Sequence, residues 1–544
     1  MKPFVRYSLI SIIIIAAILR LYGLRNTPPG VNRDEASIGV TAYSLMTTGK
    51  DEYGRTFPLS FESFGDWKLP LYIYMTIPFV KIFGLSELAV RLPSALAGSA
   101  SVALLFFLAR MLFSSSSIAL VAALSLALMP WHIHISRVES EAVTAVFFCI
   151  TGSLLFLTAL RNKSVLYLTL AAILFALTYW TYHGTHISTT LLLLGIVIIY
   201  WKDIIRVPRW WVALAAGGTL TLTILAVTFS ADHTKISGIS IFGDPTVIHK
   251  EIELPRLLHD NPNSIATRLM HNRVTYAIIT VTQNYLKSYG SEFLFIKGGG
   301  NRAHNIQGYG NLHPIEAALL IAGISWLISQ LRKKESKFIL WWIATGAVAA
   351  AITKDAPHSN RMLAVVPSFA IAAGAGFHLF MEYTSAHGKK IAILVLIAGY
   401  MGSMGYYLDR YFVHFPKNEA THWGYAYKKL TPVLFSDSNK NKNVIMTHPE
   451  TSPYIYLMFY SGYNPGSYQK QATRYPISRD GFSDVSGFGR FSFRAIDWQK
   501  DLAVPNTLLI AKSDEVPREL QPKVVAEIQL PDATPHFTII DTDK

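Results

Sequence analysis

Two acid–base groupings stand near the head of the chain. Asp34 and Glu35 lie beside Arg33 in NRDEASIGVTAYSLMTTGKDEYGR, and Asp66 and Lys68 flank Trp67 ahead of Leu-Pro-Leu-Tyr. Three later segments carry ionisable side chains in a similar way. WHIHISRVESE supplies His132, His134, Arg137, Glu139 and Glu141. YWTYHGTHIS supplies Tyr182, His183 and His186, and TKDAPHSNRML supplies Lys354, Asp355, His358 and Arg361. Carboxylates facing several cations suit transfer of a group from an anionic donor. A sugar linked through phosphate to a polyprenyl lipid fits, since its phosphate sits at the water–lipid interface. A phosphate leaving group needs little general acid but does need positive charge, and Arg can grip it with two parallel hydrogen bonds. The attacking hydroxyl or amine needs a base, which a carboxylate can supply. On that chemistry Asp34 or Glu35 is the base, and Lys68, Arg137 and Arg361 form the cationic set. Asp66, Glu141, His183, His186 and His358 are supporting candidates.

The elements that must position these groups follow from composition. The chain has 544 residues, 51% of them hydrophobic and 15% charged. Globular proteins carry about 25% charged residues. The deficit, with many long apolar runs, predicts a polytopic α-helical membrane protein. Expected spans are Phe4–Tyr22, Val90–Phe113, Ile118–Ile135, Ala142–Leu160, Ser164–Trp180, Ile187–Trp201, Trp210–Phe229, Pro314–Leu331, Phe338–Ile352, Met362–Met381 and Ile391–Tyr407. That is about eleven helices, near the ~20 residues that a bilayer core demands. Leu69–Phe83 is apolar but short and holds Pro70, Pro78 and Lys81, so it is expected to lie in the interface. The first apolar run has no small-residue cleavage site after it, so a retained signal-anchor helix is expected. The single cysteine, Cys149, excludes an intramolecular disulfide.

The formal charge of +14 would suggest nucleic acid in a soluble protein. Here the basic residues gather in short connections: Arg110; Arg161 and Lys163; Lys202, Arg206 and Arg209; Arg332 to Lys337; Lys389 and Lys390. By the positive-inside rule those connections and the N-terminus are cytoplasmic. All the candidate groups then fall on the extracytoplasmic side of a cell membrane. Ionisable residues converging at one membrane depth in otherwise apolar helices mark a functional site by default.

Two large polar pieces join them outside. Residues 230–313 mix aromatics, histidines and glycines without helical periodicity, which predicts an ordered loop with short helices. Gly298 to Gly300 could cradle a phosphate, but no lysine–serine pair follows, so a turn cluster is the plainer reading. Residues 409–544 hold β-like runs at Asn443–Thr447, Asn506–Ala511, Lys523–Leu530 and His536–Asp541, with a helix around Tyr454–Tyr460. The expected organisation is a membrane domain over 1–408, whose first outer loop 25–89 carries interfacial helices. A small extracytoplasmic α/β domain follows over 409–544.

NRDEASIGVTAYSLMTTGKDEYGR, FGDWKLPLYIYMTIP, FGLSELAVRLPSALAG and HISRVESEA resemble the GT-C class of membrane glycosyltransferases. The resemblance is narrower to the branch of protein O-mannosyltransferases and lipid A aminoarabinose transferases. It covers roughly residues 1–410, is strongest over 30–145 and is weak in the tail. It implies a GT-C-like fold, a polyprenyl-phosphate-sugar donor, an extracytoplasmic site and inversion at the sugar carbon. Asp34 matches the family's first acid and Glu35 its second; Lys68 matches a donor-phosphate contact, and Arg137 another important position. APHSNRMLAVVP resembles a later outer motif with His358 and Arg361. Leu69 stands where the family often has proline. The acceptor, whether protein, lipid or glycan, is not implied.

Plainer readings stand beside these. A lone Asp-Glu pair is ordinarily solvated, Arg137 could anchor a helix end at the headgroups, and Glu141 could pair with it structurally. His183 and His186 could hold a divalent metal with Glu35, but no carboxylate neighbours them, so interfacial hydrogen bonding is favoured and no metal ligand or cofactor is assigned. Trp131, Trp180, Tyr182 and Trp201 fit an aromatic belt. The alternative function is a transporter or flippase of polyprenyl-linked or anionic solutes. Transporters place polar groups at the bilayer midplane in repeated halves, whereas here the charges gather at one face and no repeat is visible.

Overall fold

The computed structural model describes residues 2–229, 238–244, 246–447, 452–476, 483–520 and 522–543. Two compact units interleave along the chain. The first comprises Met1–Arg20, Ser94–Ser136 and Ser140–Tyr407; the second comprises Leu21–Pro93, Arg137–Glu139 and Leu408–Lys544.

The first unit is a helical bundle. Among the described residues of both units, seven helices are long and apolar enough to cross a membrane: α1 (Pro3–Leu21), Glu87–Phe113, Glu141–Asn162, His183–Ile204, Trp210–Thr228, Ser359–Tyr383 and Ala386–Asn418. The expected span Ile118–Ile135 is two helices, Ser116–Leu128 and Pro130–Ser136, bent by 56°. Pro130 explains the break, because it cannot donate a backbone bond and disfavours helix at the residue before it. Met129 there has extended backbone. Counted as one span, the pair makes eight. The expected spans at Ser164–Trp180, Pro314–Leu331 and Phe338–Ile352 are helical too, but shorter: Val165–Tyr179, Glu316–Ser329 and Lys334–Gly346. Close packing rests on small residues. A Cβ at Gly323 or Gly376 would collide with the backbone of the facing helix.

The 230–313 piece contains Ile265–Met270, the longer Arg273–Ser288 and two single π-helical turns at His249–Glu253 and Glu292–Ile296. Residues 230–237 and 245 lie outside the described residues.

The second unit is built on a mixed sheet of seven strands. These are β3 (Asn443–Met446), β4 (Thr473–Arg474), β5 (Val485–Phe488), β6 (Phe491–Phe493), β7 (Thr507–Lys512), β8 (Val524–Gln529) and β9 (Pro535–Asp541), in the order β4-β5-β6-β3-β7-β9-β8. β3 runs parallel to both β6 and β7; the other pairs are antiparallel. The four β-like runs expected from sequence are β3, β7, β8 and β9, and the expected helix is Pro453–Ser461. The first loop belongs to this unit as well. It contributes α2 (Arg33–Thr48), the hairpin β1 (Phe61–Ser63) and β2 (Asp66–Lys68), and α3 (Pro70–Phe83). One hydrophobic cluster joins Ala36, Ile38, Val40 and Leu45 of α2 to Tyr454, Ile455, Leu457 and Phe459 and to the sheet residues Phe491 and Phe493. Gly39 permits that approach, since a Cβ there would run into the Phe459 ring and Val90. The helix carrying the acidic pair therefore sits on elements supplied by the last quarter of the chain.

Candidate active site

The acidic pair lies in the first turn of α2. Asn32 caps the helix, its Oδ1 accepting from the Glu35 backbone N–H at 2.8 Å. Carboxylates are favoured at this end by the exposed N–H groups and the helix dipole. Successive residues on a helix point about 100° apart, and the two carboxylates have different surroundings.

Asp34 is half-exposed, its side chain 53% accessible, and its Oδ1 accepts from Lys68 Nζ at 2.6 Å. Lys68, only 7% accessible, is delivered by the hairpin. β1 and β2 pair with Phe61 opposite Lys68 and Ser63 opposite Asp66. The two-residue turn uses Phe64 and Gly65, both at positive φ, 60° and 80°. A phenylalanine resists that conformation unless packing holds it. Phe64 is buried, packs edge-on to Tyr454 at 5.9 Å and lies under the Arg33 guanidinium at 4.8 Å. A Ser37–Ser63 hydroxyl bond of 2.5 Å ties the hairpin to α2. Asp66 accepts at Oδ1 from the Trp67 backbone N–H at 2.9 Å, beside the turn.

Glu35 is fully buried and its carboxylate accepts three hydrogen bonds. Arg91 donates from Nε to Oε1 at 3.0 Å and from Nη2 to Oε2 at 2.9 Å, and the Glu139 backbone N–H adds a third bond to Oε1 at 2.8 Å. The remaining Arg91 donors reach the carbonyls of Leu24 at 2.9 Å, Pro28 at 3.1 Å and Gly30. Arg91 is not among the residues that motif and spacing single out, because it stands in the apolar run FGLSELAVRLPSALAG; an arginine inside such a run is itself a signal.

Arg137 is also fully buried in this unit. Its Nη2 donates to the Thr27 carbonyl at 3.1 Å and its Nε to Tyr411 Oη at 3.2 Å, and its guanidinium lies over the Tyr411 and Phe412 rings. As placed, it braces the segment leading into α2. A third buried carboxylate, Glu52, lies just after α2. Tyr454 Oη donates to its Oε2 at 3.0 Å, and among the described residues its Oε1 has no hydrogen-bond partner. Burial pushes Glu52 from 4.5 up to about 7, opposed by the Arg474 charge and the Tyr454 bond.

Arg361, His358, Glu141, His183 and His186 belong to the helical unit. Arg361 Nη1 donates to Thr353 Oγ1 at 2.8 Å and to Asp355 Oδ1. His358 stands 3.8 Å from the second Asp355 oxygen, and its ring lies 5.1 Å from that of His304. The glycine cluster closes beside them as a turn: Gly298 has φ +74°, and the Gly299 N–H donates to Asn305 Oδ1 at 2.8 Å, which also accepts from Ser359 Oγ at 2.6 Å. His186 Nε2 meets the Tyr179 carbonyl at 2.9 Å, and its ring is 5.5 Å from that of His183. Glu141 opens the helix Glu141–Asn162 behind the Ser140 cap. Among the described residues, no group of three or more His, Cys, Asp or Glu side chains is placed to hold a metal ion.

Residues 68–229 match the family model described as dolichyl-phosphate-mannose-protein mannosyltransferase. No curated protein sequence matches significantly. Among solved structures, ArnT from Cupriavidus metallidurans bound to undecaprenyl phosphate aligns over 99% of this chain and 98% of its own, with TM-score 0.55 and 12% identity. The archaeal oligosaccharyltransferase AglB from Archaeoglobus fulgidus, in complex with an inhibitory peptide and a dolichol-phosphate, aligns over 94% of this chain and 69% of its own, with TM-score 0.51 and 11% identity. Local family match and overall fold agree with the sequence motifs: the chain resembles the mannosyltransferase model over residues 68–229, shares the fold of ArnT and AglB over nearly its whole length, and carries helices apolar enough to cross a membrane several times.

Proposed function

We propose that the chain transfers a sugar from a polyprenyl-phosphate donor to an acceptor on the extracytoplasmic face of the cell membrane, with inversion at the sugar carbon. The observation that carries this reading is the Asp34–Lys68 pair, an accessible carboxylate held 2.6 Å from a nearly buried ammonium. The acceptor hydroxyl or amine attacks the anomeric carbon from the face opposite the phosphate. Its proton passes to Asp34, the carbon–oxygen bond to phosphate breaks, and polyprenyl phosphate leaves with the electron pair. Lys68 holds the carboxylate in place and offers positive charge to the departing phosphate. Within the helical unit, Arg361 remains the candidate cation for the donor phosphate, and His358 a supporting residue. Arg137 and Glu35 act through position, fixing the entry to α2, and Glu141, Asp66, His183 and His186 stay supporting. The lipid phosphates bound by ArnT and AglB support the donor class. The acceptor class, protein, lipid or glycan, is left to experiment. The basic connections support a cytoplasmic N-terminus with the first loop and the last quarter of the chain outside.

The test uses the purified full chain in detergent, without any gradient, supplied with polyprenyl-phosphate hexoses and pentoses and an extract of envelope acceptors. Release of polyprenyl phosphate with sugar appearing on an acceptor is expected. A donor left intact in detergent but moved across proteoliposome membranes would overturn transfer in favour of transport.

A further inference from the structure

The helix Arg273–Ser288 presents three faces, one of which is buried against protein among the described residues. On the first, Asn284 and Ser288 are buried. Asn284 Nδ2 donates to the carbonyls of Ala351 at 3.0 Å and Thr353 at 3.1 Å, and Tyr285 Oη donates to Ala344 at 2.7 Å. These bonds fix the helix against the end of the neighbouring helical hairpin in its own unit. A second face carries Arg273, Thr280, Gln283 and Lys287. A third carries Val274, Ile278, Ile279 and Leu286, between 51% and 68% exposed. The preceding turns extend that surface with Leu257, Leu258, Ile265, Leu269 and Met270, each at least 60% exposed. Nine exposed apolar side chains within one short segment are rarely left in water by a folded protein.

We infer that this segment, 254–288, lies flat in the outer interface of the bilayer, its apolar face among the acyl chains and its cations among the lipid phosphates. Three observations favour lipid over a protein partner. An amphipathic helix with a polar face bearing Arg and Lys is the form that lies in the headgroup region. Between 249 and 288 there are five Lys or Arg against three Asp or Glu, which complements phosphate. Chain continuity also favours it, because the segment is preceded by the candidate span Trp210–Thr228 and packs against Lys334–Gly346 and Val348–Ala351, so it is tethered at the membrane already. The piece that reads in sequence as a polar outer loop is then a half-immersed element. It gives the bundle a surface in contact with the leaflet where lipid-linked substrates reside.

The test places a single cysteine at Ile278 or at Gln283, in a Cys149→Ala background, labels it with an environment-sensitive fluorophore and reconstitutes the full chain in nanodiscs. The label at position 278 is expected to be quenched severalfold more by doxyl-labelled phospholipid than by aqueous iodide, and the label at 283 in the reverse order. Equal iodide quenching at both positions would overturn the inference. So would a label at 278 shielded from iodide yet insensitive to doxyl lipid, which would assign the face to a second copy of the chain. Both labels stand on exposed side chains, so neither substitution threatens the fold.

Discussion

Two carboxylates one residue apart meet opposite circumstances. Asp34 is half-open to solvent and paired with Lys68, whereas Glu35 is buried against Arg91 with three hydrogen bonds on its oxygens. The 100° step of the helix sends one outward and the other inward. Adjacency in sequence thus says nothing about shared chemistry. A base must reach its acceptor, and Glu35 is fully buried, which favours Asp34 for that role. Its geometry suits holding α2 to the Leu24–Gly30 segment.

The sharpest separation should appear in stability. Glu35→Gln strands the Arg91 guanidinium in a dry site, and removal of one partner from a buried pair costs about 3–5 kcal/mol. A thermal-melt series in detergent should show a large loss for Glu35→Gln and little for Asp34→Asn; equal midpoints would dissolve the distinction. Glu52 refines the comparison, being buried without a saturating cation. Its folded pKa, about 7, lies above its ordinary 4.5. The folded state therefore holds the proton more tightly, so the associated stability is full below pH ~4.5 and is lost as pH rises through ~7, by about 3 kcal/mol. Melts of wild type and Glu52→Gln between those limits should differ in slope, with the variant flatter; parallel curves would mean that Glu52 does not titrate there. The smallest effect expected is that of Lys68→Ala. Loss of a charge-assisted contact costs about 1.5–3 kcal/mol, or ten- to a hundredfold in transfer. A Lys68→Ala enzyme turning over normally would remove the cation from the mechanism.

Much of this was legible in sequence, for identifiable reasons. Apolar runs gave the helices, and the β-branched stretches at 443–447 and 523–530 gave their strands. β5 and β6 hid in VSGFGRFSF, where Gly487 and Gly489 interrupt alternation. The break at Pro130 lies inside a run that is apolar on both sides, so hydropathy does not mark it. In the site, Asp34 and Lys68 were named from type and spacing, but their pairing depends on a hairpin with an aromatic at positive φ, which no local propensity announces. The Glu35–Arg91 bond spans 56 positions and joins a polar loop to an apolar helix. Such a pair is created by the tertiary fold alone. Arg137 is expected from sequence in the cationic set, and its bonds to Thr27 and Tyr411 depend on segments far from it in the chain.

The most direct test of the account compares Asp34→Asn with wild type in a single-turnover assay on a polyprenyl-phosphate sugar, with donor binding followed separately by thermal protection. Asparagine keeps the shape and the acceptor oxygen facing Lys68 but cannot take a proton. Unaltered protection by donor, with transfer slowed by at least ~10²–10⁴-fold, is the predicted outcome. Transfer at the wild-type rate in Asp34→Asn would contradict it, and would remove Asp34 as the base.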